Sequence, residues 1–207
     1  MRPPLFDESI LAVGDSKTVW MTTPYTNWWP ALLETLMDAV PGYRWWEWDA
    51  IVQPSDTYAM ATSGFTAGDM LAVIDARLAA YPSYTFPPTR IFVNFGANDC
   101  KSAGAIAAYE ANMESLVDKL HAKWPNALIY LTRAWRRGYD MSIFDGFDTN
   151  IDNIIADGRT AYCFLGDDER VWLENGDDGA TYTTDGVHYT LGARPVKAAA
   201  LKAAMGF

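Results

Sequence analysis

The sequence predicts an α/β fold in which helices cover both faces of a parallel sheet. Three observations predict it. Short apolar runs suited to buried strands alternate with segments whose apolar residues recur every three to four positions, the mark of amphipathic helices. The alternation persists from the first run, at residues 10–16, to the last helical segment, at residues 193–205. Small polar motifs also follow the apolar runs, at what would be the carboxyl ends of strands, where open parallel sheets place their sites.

Each element has its own signal. Ile10-Leu11-Ala12-Val13-Gly14-Asp15-Ser16 reads as a buried strand that breaks into a turn and presents the Ser16 hydroxyl. Pro30, followed by Leu33, Leu36, Met37 and Val40, predicts a crossover helix that stops at Pro41-Gly42. Residues 43–52 are aromatic and β-branched enough for a strand. Thr66 then caps a helix with Asp69 in its first turn and Met70, Val73, Ile74 and Leu78 on one face, so the Ser63-Gly64 turn lies at a helix entrance. Residues 91–95 form a buried strand. Ile106, Tyr109, Met113, Leu116, Val117, Leu120 and Trp124 mark the clearest amphipathic helix, ended by Pro125-Asn126. A strand at 127–132, a weaker helix near 148–156, a strand at 160–165 and an Ala-rich helix over 193–205 complete the pattern.

A chain of 207 residues fits one domain, residues 1–207, and can bury roughly 70% of the surface its unfolded form exposes. Its 26 acidic and 16 basic residues give a formal net charge of −10, which repels nucleic acid and anionic lipid and favours neutral substrates. The apolar stretches are far shorter than a membrane span. Residues 1–6 hold no apolar signal core, so the expected location is cytoplasmic, or secreted after removal of a leader. Cys100 and Cys163 fall after the third strand and within the fifth, with another strand expected between them, which argues against a disulfide. Neither cysteine has metal-site spacing, and the acidic stretch at 167–179 lacks the spaced ligands of a calcium loop, so a solvated loop is expected there. No phosphate-binding loop or zinc helix is present, and neither cofactor nor metal is expected. The oligomeric state is left open.

The candidate chemistry centres on Ser16. A serine hydroxyl needs a base to become a nucleophile at neutral pH. The chain has two histidines. His121 sits in mid-helix without a serine motif nearby and reads as a partly exposed helical residue. His188, in Asp185-Gly186-Val187-His188, is the candidate base, and the three-residue spacing lets the Asp185 carboxylate turn back to the Nδ1 side of the ring. Between them lie Ser63-Gly64-Phe65-Thr66 and Gly96-Ala97-Asn98-Asp99.

Gly-Asp-Ser near the amino terminus, a lone glycine, Gly-x-Asn-Asp and a late Asp-x-x-His, in that order, resemble the SGNH (GDSL-like) hydrolase family over nearly the whole chain. The resemblance implies a three-layer α/β/α, flavodoxin-like sandwich with a five-stranded parallel sheet in the order 2-1-3-4-5. It implies a catalytic triad of Ser16 as nucleophile, His188 as general base and Asp185 as the carboxylate that orients it. It also assigns the oxyanion hole to the backbone N–H of Ser16, the backbone N–H of Gly64 and the side-chain amide of Asn98. Glycine at 64 keeps a Cβ out of the way of substrate, and an asparagine donor carries no charge to desolvate. Asp15 and Asp99 take structural roles at their turns, and Gly14 serves the sharp turn. Two positions depart from the family pattern: Lys17 stands where Leu usually follows Gly-Asp-Ser, and Tyr189 where Pro often follows the histidine.

Substrate clues are fewer. Trp28, Trp29, Trp45, Trp46 and Trp48 form two aromatic groups, and Trp135-Arg136-Arg137 follows the fourth strand. Indoles stack on sugar faces and arginine adds hydrogen bonds and charge, whereas core packing is the alternative for each Trp. Lys17, Trp135 and Arg136 are therefore the candidate substrate contacts, Lys17 either as a cation at the mouth of the site or in solvent. The expectation is a serine esterase removing short acyl groups, acetyl first, from a carbohydrate through an acyl-enzyme on Ser16. The same machinery fits a lysophospholipase or thioesterase, and a rival of another class is a catalytically silent carbohydrate-binding module on the same fold.

Overall fold

The computed structural model describes residues 6–18, 29–40, 43–47, 60–81, 87–101, 104–174, 182–183 and 185–207. Strands β1 (Phe6–Gly14), β2 (Tyr43–Glu47), β3 (Arg90–Asn94), β4 (Leu128–Arg133) and β5 (Cys163–Asp168) pair in parallel in the order β2-β1-β3-β4-β5. Helices α1 (Trp29–Asp38), α2 (Ala67–Ala80), α3 (Ala105–Lys123), α4 (Met141–Ala156) and α5 (Ala193–Ala204) alternate with them. The chain steps from β1 to β2, then returns past β1 to β3 and continues in one direction. Right-handed crossovers therefore put α1 on one face and α2, α3 and α4 on the other. The packing matches: α1 lies against α5, α2 against α3, and α3 against α4. The reversal opens a crevice at the carboxyl ends of β1 and β3, with Ser16 just beyond one strand and Asn98 just beyond the other.

The inner strands read as unbroken apolar runs because both of their faces are covered. Ile10, Leu11, Ala12 and Val13 of β1, Ile91 and Val93 of β3, and Ile129 and Leu131 of β4 are fully buried. Phe92 stacks on its register partner Tyr130 at 5.2 Å. The Thr66 cap forms as expected: its hydroxyl accepts from Asp69 N at 3.1 Å, and the Asp69 carboxylate accepts from Thr66 N at 2.9 Å. His121 is half-buried and stacks on Tyr162 at 3.6 Å. Both cysteines are free and buried, and β4 separates the strands that carry or precede them.

Four expectations are corrected. Gly14 is still paired in β1 and is needed for space rather than for a turn, since a Cβ there would drive into the Thr18 side chain and approach Asn94 O to 2.8 Å. Helix α4 begins at Met141, well before residue 148, because Asp140 caps it by accepting from Ser142 N at 2.9 Å. Its Gly146 lies under Ile106 of α3, where there is no room for a side chain. Strand β5 lies three residues later than 160–165, so Asp167 and Asp168 belong to the sheet. Asp167 and Glu169 are buried rather than solvated, because two lysines meet them there. No helix among the described residues is long and apolar enough to cross a membrane. Residues 48–52, Trp28, Trp48 and residues 175–179 of the acidic stretch lie outside the described residues, as do the side chains of Trp45 and Trp46.

Candidate active site

The turn after β1 and the segment before α5 converge. His188 Nε2 lies 2.9 Å from Ser16 Oγ, and His188 Nδ1 lies 2.6 Å from Asp185 Oδ2. The other Asp185 oxygen accepts from Val187 N at 3.0 Å and His188 N at 2.8 Å, so the tight Asp185 turn itself orients the carboxylate toward the ring. Burial works against the charged carboxylate, but the hydrogen bonds from the His188 and Val187 backbone and from the His188 ring prevail and hold its pKa down to about 2. Ser16 is less openly presented than a strand-end turn suggests: only 8% of its surface is exposed.

Gly64 and Asn98 stand on neighbouring turns. The segment before Gly64 runs beside the end of β1, with Gly14 N donating to Met60 O at 3.0 Å and Thr62 N to Gly14 O at 3.0 Å. Gly64 has φ +82°, a left-handed conformation that glycine adopts without strain, and a Cβ built on it would meet open space. Asn98 donates through Nδ2 to Phe65 O at 3.1 Å and reaches Asp15 Oδ2 at 3.4 Å. Its Oδ1 accepts from Lys101 Nζ at 2.8 Å and faces Arg136 Nη1 at 3.5 Å, so two cations set which way the amide points. Asp99 fixes the same corner by accepting from Gly96 N and Ala67 N, both at 3.0 Å, and Asp15 accepts from Lys17 N at 2.9 Å. These are the structural roles expected of both acids. Burial pushes each up to about 6, against the neighbouring charge and N–H groups that favour the carboxylate.

A serine, an imidazole and a carboxylate in hydrogen-bonded series at the crevice of a parallel sheet have the spacing that a nucleophile, a base and an orienting group require. The model of the GDSL-like lipase/acylhydrolase family matches residues 12–191. The chain belongs to this family. Family membership places it among ester-hydrolysing enzymes. Among solved structures it is similar to TesA, with 22% identity, a TM-score of 0.69 and coverage of 96% of this chain and 98% of that one. It is similar to the psychrotrophic esterase EstA from Pseudoalteromonas sp., with 21% identity, a TM-score of 0.69 and 97% coverage of both chains. A carbohydrate esterase family 3 protein from Talaromyces cellulolyticus gives 17% identity, a TM-score of 0.69 and 96% coverage of both chains. At these identities the likeness establishes the fold. No curated protein matches the sequence.

Two of the three expected substrate contacts in this acylhydrolase are corrected. The Lys17 side chain is fully buried and donates to Glu169 Oε2 at 2.5 Å and Trp135 O at 2.6 Å, so its charge is spent inside the protein. Trp135 is 6% exposed and offers no open face for stacking; its backbone N–H donates to Glu169 Oε2 at 3.1 Å. Trp29, from the first aromatic group, is core, with Nε1 donating to Lys17 O at 3.2 Å. Arg136 is half-buried beside Asn98, donating to Ala97 O at 3.1 Å. Lys197 and Lys101 are not singled out by sequence, and Asp167 and Glu169 read there only as part of a solvated acidic stretch. Lys197 does carry a legible signal, because it shares the buried face of α5 with Ala193, Ala198 and Leu201. A lysine on an apolar helix face requires a buried acid opposite it. Among the described residues no cluster of His, Cys, Asp and Glu could hold a metal ion.

Proposed function

We propose that the chain is a serine esterase that removes short acyl groups, acetyl first, from a carbohydrate through an acyl-enzyme on Ser16. The observation that carries this reading is the continuous Ser16–His188–Asp185 series at 2.9 and 2.6 Å. In the neutral tautomer Asp185 holds the proton of His188 on Nδ1, which leaves Nε2 free to accept. As Ser16 Oγ bonds to the ester carbon, its proton passes to Nε2. The imidazolium then returns that proton to the departing alkoxide as the ester C–O bond breaks. Water repeats the sequence on the acyl-serine and releases the acid. The negative oxygen formed in each half is met by the N–H groups of Ser16 and Gly64 and by Asn98 Nδ2, whose long 3.4 Å approach to Asp15 is the bond that yields to it.

The rim supports a polar substrate. Lys101, Arg136 and Arg137 cluster around the Asn98 corner and the Asp185 turn, with Arg137 N donating to Gly186 O at 3.0 Å. Such a rim suits a hydroxylated alcohol portion better than a long alkyl chain, and the fold similarity to a carbohydrate esterase points the same way. The competing reading, a lipid ester or thioester, draws on Leu191, exposed three residues after His188. Initial rates on p-nitrophenyl esters from acetyl to palmitoyl, with acetate release from acetylated xylan, separate the two. Short-chain preference with acetate release supports the carbohydrate esterase, and a long-chain optimum transfers the assignment to lipids. Sugar binding with no turnover on any ester supports the silent binding module.

A further inference from the structure

The two departures from the family pattern meet in space. Lys17 follows Ser16 and Tyr189 follows His188, and both are hydrogen-bonded to one carboxylate: Lys17 Nζ donates to Glu169 Oε2 at 2.5 Å and the Tyr189 hydroxyl donates to Glu169 Oε1. Lys17 Nζ also lies 5.4 Å from the centre of the Tyr189 ring. We propose that Glu169 is a positioning residue for the Ser16–His188 pair, acting through Lys17 and Tyr189. This rests on the reading of Ser16 and His188 as nucleophile and base.

The surroundings of Glu169 fit a clamp. Asn94 Nδ2, at the end of β3, donates to Glu169 Oε1 at 3.2 Å, and Trp135 N, after β4, donates to Oε2 at 3.1 Å. Lys197 of α5 donates to Oε1 at 3.2 Å and to Asp167 Oδ1 at 2.7 Å. One carboxylate thus gathers the carboxyl ends of β3 and β4, helix α5 and the two peptides that carry the reacting side chains. Both carboxylates and both ammonium groups are removed from water, with side chains at most 1% exposed. Apolar residues of similar volume commonly stabilise a fold as well as such a cluster or better, so its worth lies in the geometry it specifies. The geometry at stake is a single 2.9 Å bond between segments 172 residues apart in sequence. A misplacement of about 1 Å at such a bond costs on the order of 10²-fold in rate.

The test uses two variants that keep the buried charge balanced. Tyr189→Phe deletes only the hydroxyl, and Lys17→Met with Glu169→Gln removes one cation and one anion together, leaving the Lys197–Asp167 pair. Both are compared with wild type and Ser16→Ala for kcat, KM, melting temperature and rate of phosphonylation by a fluorophosphonate. The expected result is a kcat lower by about tenfold in Tyr189→Phe and about 10²-fold in the paired variant, with phosphonylation slowed in step and KM within about twofold of wild type. Should the paired variant not fold, Tyr189→Phe decides alone. Wild-type kcat and phosphonylation in a folded Tyr189→Phe, with Ser16→Ala inactive, would overturn the positioning role and leave the nucleophile assignment standing. Turnover retained in Ser16→Ala would overturn both.

Discussion

Two carboxylates serve the same pair of segments and live in opposite surroundings. Asp185 and His188 are about half exposed, at 50% and 45% of their side-chain surface, whereas Glu169 and Lys17 are entirely buried. The exposed pair can exchange protons and admit substrate, and its local turn, not the core, sets its orientation. The buried pair cannot exchange anything. Burial disfavours the Glu169 charge, but Lys17 and Lys197 outweigh it and hold the group below the ordinary carboxylate range. On the proposed mechanism, a base on a surface arm and a nucleophile on a sheet turn are held over a buried connection, and that connection is polar.

The comparison predicts a division of labour that substitution can break. The largest expected effect is on turnover, at the exposed pair and at the Ser16 hydroxyl that it faces. Ser16→Ala and His188→Ala should each lower kcat by roughly 10⁴-fold or more, with circular dichroism and melting unchanged, and Asp185→Asn should leave a reduced but measurable rate. Loss of folding in these variants would erase the distinction between the two pairs. At the buried pair the order reverses. Glu169→Leu leaves two buried ammonium groups with one carboxylate and should destabilise the protein by about 3–5 kcal/mol in urea unfolding. Asp185→Asn, at an exposed pair, should change stability by no more than about 1 kcal/mol.

Smaller effects sharpen the same contrast. Asn98→Ala should lower kcat by about 10²–10³-fold, the usual loss for one oxyanion donor. Lys101→Met frees one side of the Asn98 amide without removing it and should reduce kcat about tenfold or less. A separate effect, on stability and not on turnover, is a pH dependence from Asp15. Its folded pKa of about 6 lies above the ordinary value of 3.8, so the folded state binds the proton more tightly than the unfolded state. That contribution is complete below the unfolded value and is lost as pH rises through about 6. The melting temperature of wild type relative to Asp15→Asn should therefore rise on acidification from pH 6 toward 4, opposite to ordinary acid destabilisation. A constant difference across that interval would show that Asp15 does not titrate there.

Much of this was legible in the sequence because it is local. The Thr66 capping box, the apolar faces of α2 and α3 and the strand before Ser16 are each specified within a few residues. The spacing from Asp185 to His188 likewise foretold the bond between them. What escaped is non-local. Lys17 reads as a surface cation until Glu169, far along the chain, is brought against it. The acidic stretch reads as solvated until α5 delivers Lys197 to Asp167. Trp135 reads as a sugar platform, but its backbone is held between Lys17 and Glu169 and its side chain is buried. Gly14 shows the same limit at short range, since the crowding that requires it comes from Thr18 and from Asn94 on the next strand.

The most direct test of the central claim is phosphonylation of the intact protein by a fluorophosphonate, followed by mass mapping of the modified residue. One adduct per chain is expected, on Ser16, with parallel loss of esterase activity and no labelling in His188→Ala. An adduct on another residue, or full inactivation with Ser16 unmodified, would contradict it.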